Sequence, residues 1–585
     1  MAKQRKSQNL KEQLSALLPQ ENLPNNSEPE PVWDGMKNPL QALNHELFKK
    51  DSKNQELVKP VIEVAIKADK TCASLYKFLN DRTKTLADKT LTVQFPWLLR
   101  VGGVRGFREL LLPVLHPVYG IPYIPASSLK GVTLAWARDN NNESDIKRLL
   151  GYLDGKEASL GHVQFLDAFP TQPCLSLDIA NPQWKWQGHE IKYGTEPHTL
   201  LSLNQPALVI GIVRTKLGCI EDVETVKSWL KQALNQKGLG SRVSTGYGRP
   251  SFQSYLPNQS RNYEFQLWTQ GMYGADIQKA EFRPTALRGM LRYWFRAFAL
   301  GIYDPSTSKK FEEDLFGTIE TQAKEGSIRI GVRWEEIKKA EQKTDDLPTY
   351  VYRGKIFLES EIQKHLLLVK KILQISSYLG GIGRGARRPL HKFQDPDKHN
   401  RLRGCYWEIL NFELSCNKDN WEQYLQSLYA AFQTVKSSSE QSLRASHPGY
   451  PKSRNQDVLD KNTKIYLVPC LNPNMIHPQK ISNWRQKGDK LEVIGKGLHK
   501  LYSSDDFKGK RKVKNEERGN PHVGGELGTP SYVTIKSNFP NKENPYQVVT
   551  IFGADHEARN KFAQALEKDG AILISLASAY GQSQY

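Results

Sequence analysis

A chain of 585 residues is too long for one hydrophobic core, so two or three domains are expected. Its 82 Lys and Arg against 62 Asp and Glu leave a net charge of +20, which suits a polyanionic partner, although a basic soluble surface would also account for it. No apolar run approaches the roughly 20 residues of a membrane span, and the N-terminus MAKQRKSQNLKEQ lacks the apolar stretch of a secretory signal.

The six cysteines, Cys72, Cys174, Cys219, Cys405, Cys416 and Cys470, are scattered without a CxxC pair. That spacing argues against a disulfide framework or a zinc site and fits a reducing cytoplasm.

Residues 1–36 are polar and proline-bearing and are expected to be disordered. Residues 37–90 read as a helical extension from the periodicity of LQALNHELFKK and VKPVIEVAIKADKTCASLYKFLN. The first α/β unit, 91–256, begins with the strand-like LTVQFPWLLRV. A helix follows at ASSLKGVTLAWAR with Ser127 or Ser128 as its N-cap. The strands GHVQFLDAF and PALVIGIVR come next. The helix DVETVKSWLKQALNQK carries Val223, Val226, Leu230 and Leu234 on one face and is closed by Gly238. The strand PSFQSY completes a β-α-β-β-α-β order, the ferredoxin-like (split βαβ) arrangement.

A second unit, 257–420, repeats that order through EFQLWTQG, RPTALRGMLRYWFR, SIRIGVRW, YVYRGKIFL, HLLLVKKILQISSYLG and YWEILNFELS. The fold class is therefore α+β, tandem ferredoxin-like domains behind a helical N-terminal extension. Residues 421–585, with WEQYLQSLYAAFQTV, a polar linker, KIYLVPCL, SYVTIKS, EARNKFAQALEK and AILISLA, suggest a third, partial α/β unit.

Three landmarks recur in the same order in both units. The helix-start segments PASSLKGVTLAWAR and RPTALRGMLRYWFR share four of fourteen positions: Leu129/Leu287, Gly131/Gly289, Trp136/Trp294 and Arg138/Arg296. A Leu-Gly turn precedes a strand at Leu150-Gly151 and at Leu315-Phe316-Gly317. The third landmark is a glycine-rich loop, GLGSRVSTGYG and then GGIGRGARRPLH. Shared order makes a duplication the simplest account.

Leu129, Val132, Thr133 and Trp136 occupy one helix face, as do Leu287, Met290, Leu291 and Trp294. The other faces keep Ser127, Ser128, Lys130, Gly131 and Arg138 in the first copy. In the second they keep Arg283, Thr285, Arg288, Gly289, Arg292 and Arg296. Free N–H groups beside hydroxyls and a cation form an anion site suited to a phosphodiester, whereas a capped amphipathic helix would need no ligand. The loops add Gly238, Gly240, Ser241, Arg242, Ser244, Thr245, Gly246, Tyr247 and Gly248, then Gly381, Gly383, Arg384, Arg387 and Arg388. Glycines permit close backbone approach, and Tyr247 offers a ring for stacking. No GxxxxGK[ST] is present, so nucleoside triphosphate hydrolysis has no support. Together these features read as a track for an RNA backbone.

HPVYGIPYIPASSLKGVTLAWAR, GHVQFLDAFP and GLGSRVSTGYG resemble the RAMP superfamily of CRISPR-associated RNA-binding proteins, in particular the sixth subunit of the type III-B (Cmr) effector complex. ADIQKAEFRPTALRGMLRYWFRAF, EEDLFGT and GGIGRGARRP resemble that complex's first subunit. The resemblance implies a natural fusion of the two that caps the 3′ part of a crRNA and presents it to target RNA in antiviral defence. Its implied partners are crRNA, target RNA, backbone RAMP subunits, a small subunit and a large polymerase-like subunit, in the cytoplasm and without a membrane. In the second loop, Pro389-Leu390-His391 replaces the closing glycine-aromatic-glycine of the family.

Neither a catalytic residue nor a cofactor or metal is assigned. Cleavage of target RNA would use an aspartate before the motif helix, where the first unit offers only Glu109 and the second Asp276. Processing of crRNA would use a histidine as general acid or base, for which His116 and His162 are the candidates. A general RNA-binding protein is the remaining alternative.

Overall fold

The computed structural model describes residues 38–43, 55–102, 113–155, 157–188, 190–194, 197–250, 260–272, 274–275, 281–318, 324–340, 349–394, 400–436, 457–470, 475–480, 491–513, 516–526 and 531–576. The expected disordered tail, the fourth strand PSFQSY, Glu109, Asp276 and most of the polar linker lie outside these residues.

The first unit is built on an antiparallel sheet. Strand Ala207–Arg214 lies between Lys89–Gln94 and Val163–Phe165. Leu91 and Val93 alternate inward on the edge strand, and Ala207–Arg214 is buried through most of its length. Helices Ala126–Asn140 and Ile220–Gln236 cover one face through Leu129, Trp136, Val223, Val226, Leu230 and Leu234, which share one core with the strands. Trp136 Nε1 donates to Gln236 Oε1 at 2.9 Å, joining the two helices. The second helix ends one residue before the expected position: Lys237 is its C-cap, and Gly238 follows in the left-handed region at φ 76°.

An insert within this unit was not foreseen from sequence. Leu98–Leu99, His198–Asn204 and Leu175–Ala180 form a second small sheet, and Trp184–Gln187 pairs with Glu190–Tyr193 as a projecting hairpin. The helical extension (Pro39–Leu43, Gln55–Thr71 and Ala73–Leu86) packs Ala42, Leu43, Ile62, Ala65 and Ala68 against Leu175 and Leu201 of that sheet. Asp69 anchors it: its Oδ2 accepts from the Cys174 and Leu175 N–H groups, and its Oδ1 accepts from Tyr76 Oη.

The second unit has the spatial strand order Arg329–Ala340, Thr349–Glu359, Ser260–Thr269, Tyr406–Ile409, all antiparallel. In chain order this is 2-3-1-4, with helix Pro284–Ile302 between the first and second strands and Gln363–Leu379 between the third and fourth. Residues 457–576 repeat the scheme. Val533–Asn538, Tyr546–Ile551, Lys464–Pro469 and Ile572–Ile574 again stand in the order 2-3-1-4, with helices Leu491–Ser503 and Glu557–Lys568 in the matching connections. The second and third sheets share a continuous core that includes Trp407, Trp421, Leu467, Tyr546 and Val548. No described helix is long and apolar enough to cross a membrane.

Candidate nucleic-acid interface

The first motif helix starts at Ala126 with Pro125 as N-cap and no side-chain cap, so neither Ser127 nor Ser128 has the expected capping role. The cap is supplied from a distance: Asp167 Oδ1 accepts from the Ala126 N–H at 2.7 Å. A carboxylate thus occupies one of the donors an anion would use, and the Ser128 N–H is turned back to Pro125 O at 2.9 Å. Ser127, Lys130, Gly131 and Arg138 are exposed, and Ser128 is half-buried. Lys130 and Arg138 stand eight residues apart on the same helix, just over two turns.

The first glycine loop is tied down at both ends. Leu239 N–H donates to Gly248 O, Gly248 N–H to Leu98 O, and Ser241 N–H to Arg100 O, each within 2.9 Å. Gly246 stands at φ 98°, and a Cβ there would lie 2.5 Å from Pro284 Cβ. The loop therefore abuts the first turn of the second motif helix, a meeting of the two units that no spacing argument foretold. Arg242, Ser244 and Thr245 remain half-exposed on it. Arg242 takes the left-handed φ of 61°. Buried Arg100 beside it is lowered to about 10 by desolvation, with the Arg242 charge adding to the effect.

Tyr247 is not presented for stacking on a base. Its ring is buried, packs 4.7 Å from that of Trp97, and its hydroxyl donates to Asp178 Oδ2 at 2.7 Å. Asp178, also missed from the sequence, gathers Ser202 Oγ and the Ile179 N–H as well. It completes the set with Arg283 Nη2 at 2.8 Å. Arg283 sits at the N-cap position of the second motif helix without a capping bond of its own, and its side chain bonds further to Ile179 O and Glu281. It is an internal tie between the units, not an open cation.

The same correction applies to the arginine flank of that helix. The hairpin Trp184–Tyr193 of the first unit lies across it. Arg296 stacks over Trp184 with 3.8 Å to the ring centroid and donates to Tyr193 Oη at 2.9 Å. Arg292 pairs with buried Glu312 at 2.7 Å, and Trp186 Nε1 donates to that carboxylate's other oxygen at 3.2 Å. Arg288 donates to Phe316 O, and desolvation, reinforced by the Arg292 charge, lowers it to about 10. Only Thr285 and Gly289 of the second set stay partly accessible without such contacts, and a Cβ on Gly289 would meet nothing within 4 Å.

The second glycine loop turns toward the third unit. Arg387 pairs with Asp457 Oδ2 at 2.5 Å and donates to Ser531 O. Burial opposes its charge, but the Asp457 carboxylate raises it overall. Arg388 donates to Val533 O and Gly524 O. Gly381 is buried against Ala386 and Cys405, Gly383 takes φ 81°, and Arg384 is half-buried, its N–H on Gly271 O at 3.0 Å. His391, in place of the expected closing glycine segment, is buried and bonds to Pro389 O.

Both histidine candidates are engaged in contacts within the first unit. His116 Nδ1 accepts from the Val118 and Tyr119 N–H groups, and its ring packs among Tyr119, Tyr123 and Phe169. His162 Nδ1 stands 2.8 Å from Asp222 Oδ2, whose other oxygen takes Arg148 at 2.6 Å. That carboxylate also caps helix Ile220–Gln236, so the trio is a helix-start brace. Among the described residues no group of three or more side chains is arranged to hold a metal ion.

The family model of the RAMP superfamily matches residues 96–251 and 273–388. The CRISPR system CMR subunit Cmr6 of Saccharolobus solfataricus is 30% identical over 134 residues, which cover 22% of this chain and 45% of that relative. The CRISPR system Cmr subunit Cmr1-2 of Pyrococcus furiosus is 31% identical over 70 residues, 12% of this chain and 36% of that one. The chain thus spans less than half the length of either curated relative. The solved apo structure of Cmr1 from Pyrococcus furiosus is 13% identical, with 54% of this chain and 98% of that chain covered, at a TM-score of 0.31.

Proposed function

We propose that this chain, whose residues 96–251 and 273–388 match the model of the RAMP superfamily, is a fused, guide-RNA-binding subunit of a type III-B CRISPR effector complex. The observation that carries the proposal is the succession of two RAMP regions in one chain that is similar to both Cmr6 and Cmr1-2. In this reading residues 91–256 are the Cmr6-like domain and 257–420 the Cmr1-like one, each ferredoxin-like. Residues 421–585 add a further RAMP-like domain, supported by the repeated 2-3-1-4 strand order.

The chain caps the 3′ end of the crRNA filament, alongside backbone, small and large subunits, and helps present the guide to target RNA in the cytoplasm. Binding is the whole of its task; no proton transfer or bond cleavage is required of it. The RNA-facing set narrows to residues that keep part of their surface exposed. These are Ser127, Ser128, Lys130, Gly131 and Arg138 on the first helix, and Gly240, Ser241, Arg242, Ser244 and Thr245 on the first loop. Thr285, Gly289, Gly383 and Arg384 continue the track. Exposed cations beside exposed glycines suit a phosphate backbone.

The test is purification of the tagged chain from its native cells followed by sequencing of the bound RNA. Repeat-tagged spacer RNAs together with other effector subunits are the expected yield. Bulk cellular RNA without those subunits would overturn the assignment in favour of a general RNA-binding protein.

A further inference from the structure

The four-stranded sheet of the second unit has one face in the core. Phe265, Leu267, Ile330, Val332, Ile356 and Leu358 point into it, beneath helices Pro284–Ile302 and Gln363–Leu379. The residues that alternate with them point the other way. At one end of that second face, Trp268, Val351 and Tyr406 pack against Met475 and Phe539 of the third unit. Beyond that end, Asn262, Arg333, Arg353 and Lys355 are exposed.

An aromatic ring stands among these polar side chains. Phe357, on the inner strand Thr349–Glu359, is half-buried at a position where a solvent-facing sheet surface would ordinarily carry a polar residue. Gly331 is its register partner on the neighbouring strand, so no side chain shields the ring from that position. The Arg333 guanidinium lies over the ring, 5.4 Å from its centroid. Arg333 is also directly opposite Lys355, two cations side by side in an antiparallel ladder, where like charges cost stability. Glu264 pairs with Lys355 at 3.0 Å from the other side, and Glu335 stands opposite Arg353. On this stretch Arg333, Arg353 and Lys355 outnumber the two carboxylates, a balance that suits a polyanion. The face also adjoins the first glycine loop. Trp334, the neighbour of Arg333, meets Trp97 edge-on at 6.4 Å, and Trp97 packs on Tyr247 of that loop.

We propose that this open sheet face of the second unit binds single-stranded RNA, one base stacking on Phe357 and the flanking phosphates meeting Arg333 and Lys355. A sheet surface that offers a ring to a base and cations to the backbone needs no enclosed pocket, because the strand lies across it. Stacking accepts any base, so the site adds affinity and not sequence preference. The proposal extends the helix-and-loop track onto a surface outside it, and it rests on the RNA-binding reading above for its ligand.

The experiment cross-links the full chain to a short single-stranded RNA carrying thiouridine, locates the linked peptides by mass spectrometry, and titrates the same RNA by fluorescence anisotropy. A cross-link within strand Thr349–Glu359 is the expected result. Phe357→Leu, which keeps an apolar side chain and removes the ring, should weaken binding about five- to ten-fold and leave the salt slope unchanged. Arg333→Gln should lower the log–log salt slope by roughly 0.7. Wild-type affinity and slope in both variants, with cross-links confined to the first motif helix and the glycine loops, would overturn the sheet-face site and leave the track intact. A wild-type chain that binds no RNA would strike the RNA-binding reading and this site together. Bulk cellular RNA on the natively purified chain, with the cross-link on Thr349–Glu359 still present, would strike the guide-RNA reading alone and leave the site standing.

Discussion

Arg283 Nη2 and Asp178 Oδ1 meet at 2.8 Å across the boundary of the two matched regions, with side chains 5% and 0% exposed. The pair turns a tandem arrangement into a fixed one. Asp178 lies in the insert of the first unit, Arg283 at the start of the second motif helix, and Tyr247 of the first glycine loop closes on the same carboxylate. The loop and the helix start that sequence reasoning assigned to two separate RNA grips are one continuous structure.

Removing Asp178 should therefore cost far more than a surface charge. Asp178→Ala leaves the Arg283 guanidinium buried beside Trp97 and frees the hydroxyls of Tyr247 and Ser202. A loss of about 3–5 kcal/mol is expected for breaking a buried pair from one side. Urea unfolding measures it, and a loss under about 0.5 kcal/mol would show that the tie is not formed. The double variant with Arg283→Ala should lose less than the sum of the singles.

Exposed and tied basic residues should separate in a salt titration. Lys130→Ala and Arg138→Ala remove exposed cations, and each should lower the log–log salt slope of RNA binding by roughly 0.7 while stability stays within about 0.5 kcal/mol. Arg292→Ala and Arg296→Ala should do the reverse, with unchanged slope and a lower unfolding midpoint, because Glu312 and Trp184 lose their partner. A flattened slope in Arg296→Ala would put that side chain back in the RNA track.

Lys536 supplies a pH signature. Burial lowers its ammonium to about 7, despite the nearby Cys405 and Glu408 that favour the charge. Between about pH 7 and the ordinary lysine value near 10.4, the unfolded chain holds a proton that the folded chain has shed. The unfolded state then binds more protons, so this residue makes stability rise with pH across that window. Lys536→Met should remove the rise and be more stable than wild type near neutrality. Parallel slopes for the two proteins from pH 7 to 9 would refute the assignment.

What was legible in the sequence was local. Leu129, Thr133, Trp136 and their counterparts Leu287, Leu291, Trp294 occupy the buried helix faces their spacing implied, because a 3.6-residue period is set by the chain itself. What covers the opposite face was not legible. Arg292 and Arg296 look like part of a solvent-facing basic stripe until the hairpin Trp184–Tyr193, about a hundred residues earlier, lies over them. Its paired tryptophans in WKWQ, apolar rings on a short polar hairpin, were the available hint that something had to meet them. Asp178 carried a similar hint as a lone carboxylate within the strand LSLDIA. The third unit was half hidden because Gly495, at φ 69°, interrupts helix Leu491–Ser503 and blurs its period.

Gly131 and Gly289 provide the test that joins fold to function. They fall at the same place in the two motif helices, and a Cβ added to either would meet no atom within 4 Å. A helix-interior glycine costs about 1 kcal/mol relative to alanine, so neither position is explained by packing. The empty space is useful if an RNA backbone lies against the helix there. Gly131→Ala and Gly289→Ala should therefore each raise unfolding stability by about 0.5–1 kcal/mol and yet weaken RNA binding several-fold. The stability gain is read from urea midpoints and the binding loss from a filter or anisotropy assay on the same preparations. A stabilised Gly131→Ala protein that binds RNA as well as wild type would mean that the first motif helix presents a bare surface, and the RNA track would have to be drawn elsewhere.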